Sequence, residues 1–480
     1  MRGMTNATEP TDSMKVPAIG NEFVGAKLGD ARLTRRLVHT ARACAEAPEK
    51  SLPRAIGSKT ALNAAYELFS HESAGEAAIL RPHQDQTRKR CTEVGTVLVA
   101  HDTTEFVYST HREGIGHLRS VKDHGFLMHG SLVLTADGHQ RPLGVIGARY
   151  WTRSLEDAMC DCPPDMTLES ERWFEQVVAA EERLGPDVVP IHLMDREGDS
   201  YKLFADMCGR SSRFVIRNRT DRVARSEDLG PTEHIRTLCE RAEVVFETQV
   251  PISRRSATSI PVKSTSLLPR EARIAKLSVR AVTVEIRKPQ ALPNDLPMWL
   301  ELNAVYVQEV DAPEAVEPVQ WVLLTTEPID TYKDVVTVIE YYRTRWVIEE
   351  WHKAIKTGCK VEDLQLESYE ALKNAITMYL VLAWRMLLMR TLARSEPNAP
   401  AEIALSSAEI VVLREFQSDA RLPKNPTVGQ AFIAIAMMGG YIKHKVPPGW
   451  LTLARGFEKL ILLENGWSAG RARPKDGRDL

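Results

Sequence analysis

The chain has 480 residues, which is too long for one ordinary hydrophobic core and predicts about two to four domains. Its content of 43% hydrophobic and 26% charged residues is that of a folded soluble protein. The formal net charge of -2 gives no whole-chain signal for a nucleic-acid partner, so local clusters of basic residues must carry any such argument.

Cysteine usage and hydropathy predict a cytoplasmic protein without a membrane partner. The seven cysteines are scattered and odd in number, which does not fit a disulfide framework. Cys160 and Cys162 could begin a metal site, but two ordinary thiols are favoured because no second Cys/His pair has matching spacing. The N-terminus lacks a secretory-signal pattern. The most apolar stretch, Ala375 to Met389, contains Arg385 and is too short to span a bilayer, so it predicts a buried helix.

The first part of the chain predicts a loose terminus followed by helices. Residues 1–20 are polar, contain Pro and Thr, and predict a disordered N-terminus. Residues 21–91 have a helical pattern, in which Asp30 is placed to cap a helix that carries Arg32 and Arg35. A compact helical module with a basic DNA-binding face fits this pattern. An ordinary solvated helix face explains the charges alone equally well.

From residue 92 the pattern changes to that of an α/β sheet. Short apolar, β-branched runs predict strands at 96–100, 131–135, 143–148 and 188–194. The second and third runs are joined through Asp137-Gly138, a hairpin signal. A helical stretch over about 168–184 precedes the last run. The first run ends at Asp102 and the last at Asp195, so we predict a sheet in which both acids leave strand ends.

The second half of the chain predicts a β-rich insertion and then helices. Residues from about 235 to 318 contain runs in which apolar and polar residues alternate, with prolines between the runs. These runs interrupt the α/β pattern. The α/β pattern resumes at 321–325 and passes into a long helix from about Lys333. Residues 368–465 are helical in pattern, and 466–480 predict a disordered tail.

The strongest local signal is the segment 341–356. At about 100° per residue, Tyr342, Arg345, Glu349 and Lys356 fall within about 60° of one another on a regular helix. The apolar residues lie on the opposite side and predict a packing face, formed by Val347, Ile348, Trp351 and Ile355. One helix would therefore present an aromatic hydroxyl, two cations and a carboxylate in a single stripe. Taken alone, a solvated face with ion pairs explains these charges better.

When Asp102 and Asp195 are considered together with this stripe, a functional site becomes a better explanation than a solvated helix face. Phosphodiester chemistry needs carboxylates clustered tightly enough to hold two divalent cations roughly 3.5–4 Å apart. Mg²⁺ suits such a site because it accepts a few carboxylates and keeps waters and substrate oxygens as its other ligands. Acids at the ends of adjacent strands, with Glu349 on a helix beside the sheet, satisfy that requirement. The neighbouring acids expected not to be ligands are Glu105, Glu197, Asp199 and Glu350.

These residues resemble the motifs of a known family. The helix segment matches the Y-(2)-R-(3)-E-(6)-K signature of insertion-sequence transposases of the IS-four family and is most similar to the Tn-five-like type. Residues 102–104 resemble the first-aspartate motif of that family, and 195–197 resemble the second. Residues 28–35 resemble its N-terminal end-binding region, and 435–450 its C-terminal dimerisation segment. The resemblance runs in the same order from about residue 22 to 463.

The resemblance implies an α/β fold with a ribonuclease-H-like catalytic core. The core would span 92–367 and contain the β insertion, between a helical DNA-end-binding domain at 21–91 and a helical dimerisation region at 368–465. By the same resemblance, the catalytic metal ligands are Asp102, Asp195 and Glu349. They would hold two Mg²⁺ ions, with Mn²⁺ as a substitute.

The resemblance also implies DNA contacts, at Tyr342, Arg345, Lys356, Trp321, Arg217, Arg219, Arg32 and Arg35. The first three would hold the phosphate at the transposon terminus. Trp321 would stack a flipped base during hairpin formation, and such stacking gains roughly 1–3 kcal/mol. Without the resemblance, a core position is an equal alternative for Trp321, and solubilising charges on an edge strand are an alternative for Arg217 and Arg219.

The function expected from this resemblance is cut-and-paste DNA transposition by phosphodiester hydrolysis and strand transfer, through a hairpin intermediate. The partners would be double-stranded DNA with terminal inverted repeats, target DNA, and a second protomer that synapses the other end. Two alternatives stay open: a catalytically silent end-binding or inhibitory relative, and another ribonuclease-H-like nuclease. The intact acids argue against the first. The tyrosine, arginine and lysine beside Glu349, together with Trp321, argue against the second.

Overall fold

The computed structural model describes residues 19–110, 112–118, 123–156, 168–252, 254, 271–314, 316–416, 422–442 and 447–472. Contacts divide the chain into two compact units. The first unit comprises Met1–Asp161, Val178–Val189 and Trp346–Leu480, and the second comprises Cys162–Val177 and Pro190–Arg345. The predicted N-terminal and C-terminal helical regions therefore fall in one unit, together with part of the predicted core. Cys160, Cys162 and most of the two termini predicted to be disordered lie outside the described residues.

The first unit begins with helices, as the apolar spacing predicts. They are α1 (Ala31–Glu46), α2 (Leu52–Ile56), α3 (Lys59–Phe69) and α4 (Glu76–Val94). The prediction that Asp30 caps α1 is confirmed, because its side chain accepts a hydrogen bond from the backbone N–H of Arg32 at 2.7 Å. Helix α1 buries Leu33 and Leu37 and contacts α2 and α3. Its other face exposes Arg32 and Arg35.

An antiparallel sheet follows these helices. Its strands are β1 (Thr96–Tyr108), β2 (Gly116–His117), β3 (His124–Thr135) and β4 (Pro142–Trp151). Strand β3 pairs with β1 on one side and β4 on the other. The predicted hairpin between β3 and β4 is present. Gly138 adopts a φ of 84° in the turn, and Asp137 accepts hydrogen bonds from the Thr135 hydroxyl and the His139 N–H.

The prediction that the first strand ends at Asp102 was wrong. Strand β1 continues to Tyr108, and Asp102 lies in its middle, opposite Gly130 of β3. The strand continues because residues 103–108 are rich in β-branched and aromatic side chains, which favour extended structure. They also pair with β3 in unbroken register as far as His124.

The second unit is an α/β unit with a mixed sheet. Its strands are β5 (Val189–Met194), β6 (Arg213–Arg217), β7 (Val223–Ser226), β8 (Gly230–His234), β9 (Val244–Ile252), β10 (Arg273–Arg287), β11 (Trp299–Val310) and β12 (Gln320–Thr325). Helix α5 (Leu168–Leu184) precedes them and belongs to this unit as far as Val177, while its remainder belongs to the first unit. Helices α6 (Tyr201–Gly209), α7 (Ile235–Arg241) and α8 (Tyr332–Thr344) lie between or after the strands. The strand order is β5-β6-β12-β11-β10-β7-β8, with β9 also paired to β10. Strands β5 and β6 are parallel, and β6 pairs antiparallel with β12.

The predicted β-rich insertion is present and begins with a helix. Its first residues form α7, because Ile235, Leu238 and Cys239 recur at helical spacing and are all buried. Strand β11 pairs with β12 along six residue pairs, so the insertion extends the sheet that holds β5 and β6.

The first unit resumes with C-terminal helices around one long apolar helix. They are α9 (Val347–Lys353), α10 (Tyr369–Ser395), α11 (Ser407–Glu415), α12 (Val428–Met438) and α13 (Trp450–Ala472). By length and composition α10 could cross a membrane, but 94% of its apolar window is buried inside the protein. It contacts α4 and β4, and Arg385 on it forms a buried ion pair with Glu409 of α11 at 2.5 Å. The prediction of a buried helix is confirmed.

The last helix is longer than predicted. Helix α13 runs to Ala472, seven residues beyond the predicted boundary at 465. In this part of the helix, the ring of Trp467 packs edge-on against that of Phe416, with 6.3 Å between the ring centroids.

Of the seven cysteines, the structure describes Cys44, Cys91, Cys208, Cys239 and Cys359, and none of these five is in a disulfide.

A buried polar network ties the start of the chain to α4 and β4. The carboxylate of Glu22 is fully buried and accepts hydrogen bonds from His83 Nδ1 and from Arg90 Nη1, the latter at 3.0 Å. The Nε2 of His83 accepts from the backbone N–H of Val145 at 2.9 Å, so His83 is neutral with its proton on Nδ1. Arg90 also donates to the carbonyl of Leu143 at 2.6 Å. The network therefore holds one carboxylate and one guanidinium away from water, each with partners.

We predict that Glu22→Gln destabilises the protein in a pH-dependent manner. Burial raises the pKa of Glu22, but His83 and Arg90 outweigh burial and lower it from 4.5 to about 2. A carboxylate with a depressed pKa stabilises the fold above its unfolded pKa, and the effect is lost as pH falls through the folded pKa. The substitution should lower the free energy of unfolding by about 3 kcal/mol at pH 7. Denaturant titrations at a series of pH values measure it.

The difference from wild type should shrink as the pH falls from about 4.5 towards 2, because both proteins then carry a neutral side chain at this position. Glu67→Gln is the control. Glu67 is exposed and pairs with Arg36 at 3.1 Å, so its loss should cost less than about 1 kcal/mol at any pH. A constant difference for Glu22→Gln across the pH range would contradict the assignment.

Candidate active site

In the first unit, α9 packs against β1, and this contact brings the helix that carries Glu349 to the strand that carries Asp102. Nδ1 of His352 on α9 lies 3.5 Å from Oδ2 of Asp102, and the two side chains are only 9% and 14% exposed. Trp351 holds the helix in place through its buried side chain. It is fully buried, and its indole N–H donates to the carbonyl of Leu380 at 3.1 Å.

Gly130 makes this contact between α9 and the sheet possible. It is the residue of β3 that lies opposite Asp102, and the ring of Trp351 covers it. A Cβ at position 130 would lie 2.7 Å from the Trp351 ring, closer than such atoms approach in proteins. The missing side chain therefore sets how closely α9 approaches the strand with the first acid.

Lys356 lies just beyond α9, also in the first unit. It is part of a π-helical turn, Ala354–Gly358. Its ammonium group is 5.7 Å above the ring of Phe106, which is on β1, and 4.0 Å from the carboxylate of Glu362. Burial lowers the pKa of Lys356, while Glu362 and Glu105 act in the opposite direction. The structure thus places a partly desolvated cation over the same strand as Asp102.

The prediction of one regular helix through residues 341–356 was wrong. Helix α8 ends at Thr344 and α9 begins at Val347, and the division between the units falls between Arg345 and Trp346. At the break the hydrogen bonds shorten to three-residue steps, from Arg345 N to the Tyr342 carbonyl at 3.1 Å and from Glu349 N to the Trp346 carbonyl at 3.2 Å. The π turn then widens the spiral. An angle of about 100° per residue does not hold across these irregularities.

The stripe is therefore divided between the two units. Tyr342 and Arg345 belong to the second unit, and Glu349 and Lys356 to the first. The predicted packing face is confirmed, because Val347, Ile348, Trp351 and Ile355 are all buried.

The second unit holds the second acid. Asp195 directly follows β5, as predicted, and its carboxylate accepts a hydrogen bond from the backbone N–H of Glu197 at 2.8 Å. Burial lowers the pKa of Arg217 and raises that of Tyr342, two predicted DNA-contact residues of this unit, and the charge of Asp195 contributes a smaller upward effect on both.

Trp321 belongs to the same cluster of the second unit. Its ring lies 5.7 Å from that of Tyr342 in an edge-on arrangement, and the Arg217 guanidinium lies 5.7 Å above it. Burial raises the pKa of Tyr342, while Arg217 and Arg345 lower it. Burial likewise lowers the pKa of Arg217, and Tyr342 opposes that shift. The structure thus brings together the predicted contacts Trp321, Tyr342, Arg217 and Arg345.

The edge-strand alternative for Arg217 and Arg219 was wrong. Strand β6, which ends at Arg217, lies between β5 and β12 and is not an edge. Arg217 donates to the carbonyl of Gln320 at 3.3 Å. Arg219 follows the strand with an exposed side chain, while its backbone N–H donates to Asp199 at 2.8 Å. These contacts fix the loop after β6 and leave the Arg219 side chain at the surface.

Several acids that competed for the ligand roles are engaged in ion pairs. Glu350 pairs with Lys353 at 2.9 Å and approaches Arg390 at 3.7 Å. Asp199 forms a buried pair with Arg222 at 2.5 Å. One residue beside the first acid, His352, was missed in the sequence analysis. Its position three residues after Glu349 was the available signal, because residues i and i+3 share a helix face.

The chemistry of Asp102 and Glu349 fits a divalent cation. Within the described part of the chain, no group of three or more His, Cys, Asp and Glu side chains is arranged to hold a metal ion. The first unit nevertheless contributes two carboxylates, and proteins often hold Mg²⁺ by one or two carboxylates together with waters and substrate phosphates. His352 adds a buried Nε2 that has no hydrogen-bond partner among the described residues.

Comparison with known families gives these groups a chemical context. The family model described as "Transposase DNA-binding" matches residues 17–74, and the one described as "Transposase DDE domain" matches residues 177–385. The second match includes Asp195 and Glu349 and begins after Asp102. These two stretches of the chain are thus similar to a transposase DNA-binding domain and to a DDE transposase domain, and the two matches support a DNA transposase. A DDE domain also implies dependence on a divalent metal.

Among solved structures, the chain is similar to the piggyBac transposase in a cryo-EM structure of its synaptic complex with hairpin DNA. The sequence identity is 8% and the TM-score is 0.31, over 80% of this chain and 79% of that chain. A similarity at this level does not establish a common fold.

We predict that Gly130→Ala strains the contact between α9 and β1. The added methyl group collides with the buried Trp351 ring, and overpacking of this kind costs about 1–3 kcal/mol. The free energy of unfolding should fall by that amount, as measured by denaturant titration. Gly209→Ala is the control, since a Cβ there meets nothing within 4 Å. Equal stability of the two variants would show that α9 is not held against β1 as described.

Proposed function

We propose that the protein is a cut-and-paste DNA transposase of the IS-four family that excises an insertion sequence and joins it to target DNA. The observation that carries this proposal is the packing of α9, with Glu349, against the β1 strand that holds Asp102, in a chain with a DDE transposase domain. The YREK signature supports the assignment to this family. The proposal includes a ribonuclease-H-like core.

The proposed catalytic acids are Asp102, Asp195 and Glu349. They would hold two Mg²⁺ ions, with Mn²⁺ as a substitute, by the resemblance to the family. When bound, such ions activate the attacking oxygen and stabilise the charge on the leaving 3′ oxygen. Asp102 and Glu349 come from adjacent elements of the first unit, and Asp195 would be the remaining ligand by the same resemblance.

The cations of both units would position the DNA backbone. Lys356, which is partly desolvated above Phe106, provides a cation near the first acid, and a charge with little competing water binds phosphate more strongly. Arg345 and the hydroxyl of Tyr342 would grip the terminal phosphate beside Asp195. Arg217 and Arg219 would contact the strand next to it. Such contacts fix the register of DNA without reading its sequence.

The remaining parts of the proposal concern the ends and the assembly. The exposed Arg32 and Arg35 of α1, within the DNA-binding match, would contact the terminal inverted repeat. Two protomers would synapse two ends in the bacterial cytoplasm, each cutting an end that is bound in part by the other. After the first nick, the free 3′ hydroxyl would attack the opposite strand and form a hairpin, with Trp321 stacking a flipped base.

The proposal predicts Mg²⁺-dependent excision that requires all three acids. Asp102→Asn, Asp195→Asn and Glu349→Gln should each reduce nicking of a DNA end by at least about 10²-fold, because several kcal/mol of charge stabilisation is lost. Nicking of labelled DNA that carries the inverted repeats flanking the coding region measures this. End binding by the three variants, followed by gel shift, should stay close to that of the wild type.

Glu350→Gln is the matched control for Glu349→Gln. It removes the adjacent carboxylate, which is engaged with Lys353 and Arg390, and nicking should be kept. Wild type that binds the ends but never cuts them would instead indicate a silent end-binding relative. Nicking that survives Glu349→Gln, or cutting of DNA regardless of its ends, would contradict the proposed active site or the proposed substrate.

We predict that Trp321→Ala impairs hairpin formation more than the first nick. Loss of base stacking worth roughly 1–3 kcal/mol corresponds to about 5–150-fold in rate. The first nick and the hairpin are resolved on denaturing gels from the same reaction. Trp321→Phe should retain part of the activity. The control is Trp299→Ala, a tryptophan of the same unit that lies 4.3 Å below Arg225. Equal loss of nicking and hairpin formation would exclude a stacking role.

A further inference from the structure

His352 lies beside the first acid, and no part of the proposed mechanism uses it. It follows Glu349 by three residues on α9, and its Nδ1 lies 3.5 Å from Oδ2 of Asp102. One short helix therefore carries both a proposed ligand and a histidine that faces the other ligand of the same unit.

Packing does not explain a histidine at this position. The core beneath α9 is filled by Ile348, Trp351 and Ile355, which are all fully buried. His352 is 8% exposed and leaves Nε2 without a hydrogen-bond partner in the described residues. An apolar side chain of similar size would also fill this position but could not donate a hydrogen bond to Asp102.

The contact itself indicates what that role is. A carboxylate that binds a divalent cation is usually held by a second hydrogen-bonding group, which fixes its orientation. The acceptor beside Nδ1 favours the ring form with its proton on that nitrogen, directed at Oδ2. At 3.5 Å the two atoms are slightly farther apart than in a normal hydrogen bond.

We propose that His352 is a positioning residue that holds Asp102 through Nδ1 and so leaves the other carboxylate oxygen for the divalent cation. The inference rests on the proposed function, in which Asp102 is a metal ligand. It assigns the effect to one ring nitrogen, and the two ring nitrogens can be tested separately. The amide nitrogen of asparagine lies near the position of Nδ1, and that of glutamine near the position of Nε2.

The test measures Mn²⁺ binding to the full-length protein without DNA, by the electron paramagnetic resonance signal of free Mn²⁺. His352→Ala should weaken Mn²⁺ affinity by about 10–100-fold. His352→Asn should recover most of that loss, and His352→Gln should not. Thermal unfolding of each variant is followed in parallel, and Ile355→Val serves as a control that loosens the same region while keeping the wild-type affinity.

The outcomes separate this inference from the function on which it rests. If Asp102→Asn binds Mn²⁺ as well as the wild type does, Asp102 is not a ligand, and the proposed function and this inference both fail. If Asp102→Asn loses affinity but His352→Ala keeps it, only the role of His352 is overturned. The same holds if the asparagine and glutamine variants bind alike, or if Ile355→Val loses as much affinity as His352→Ala. Comparing the asparagine and glutamine variants keeps the test decisive if the alanine variant does not fold.

Discussion

The contact between the Trp351 ring and the bare backbone of Gly130 is the constraint on which the first half of the site depends. Helix α9 can lie directly on β1 and β3 only because position 130 has no side chain. That approach places His352 and, through the following π turn, Lys356 over the strand that holds Asp102, and it brings the helix that carries Glu349 to the same strand. A steric feature in the sheet thus sets the position of an imidazole and a cation together.

Most of the fold could be predicted from the sequence because its helices and strands carry strong periodic signals. The capped start of α1, the hairpin between β3 and β4, and the strand that ends before Asp195 follow from local chemistry. The extent of β1 could not be predicted in the same way. Whether a strand continues past an acid depends on the partner strand, and the register between β1 and β3 is a property of residues about thirty positions apart.

The sequence predicts a set of site residues but not the surface on which they lie. Tyr342, Arg345, Glu349 and Lys356 were identified by their spacing, and regular helical geometry placed them on one stripe. A regular helical periodicity does not indicate the break at residues 345–346 or the π turn at Ala354–Gly358. His352 was missed for a related reason. Its spacing from Glu349 places it on the same helix face, but its neighbour Asp102 is on a strand some 250 positions earlier in the chain.

The position of Arg217 above Trp321 has a thermodynamic consequence for any base that stacks there. The guanidinium already lies 5.7 Å from the indole ring, so an incoming base that uses this face competes with a cation and does not meet a bare surface. A cation–π contact of about 0.5–1 kcal/mol would have to be given up against a stacking gain of roughly 1–3 kcal/mol. The net gain is then a difference between two contacts, and a base must stack well to displace the arginine. In the proposed function, the same indole would hold Arg217 in place without DNA and would discriminate among bases by their stacking strength when DNA is present.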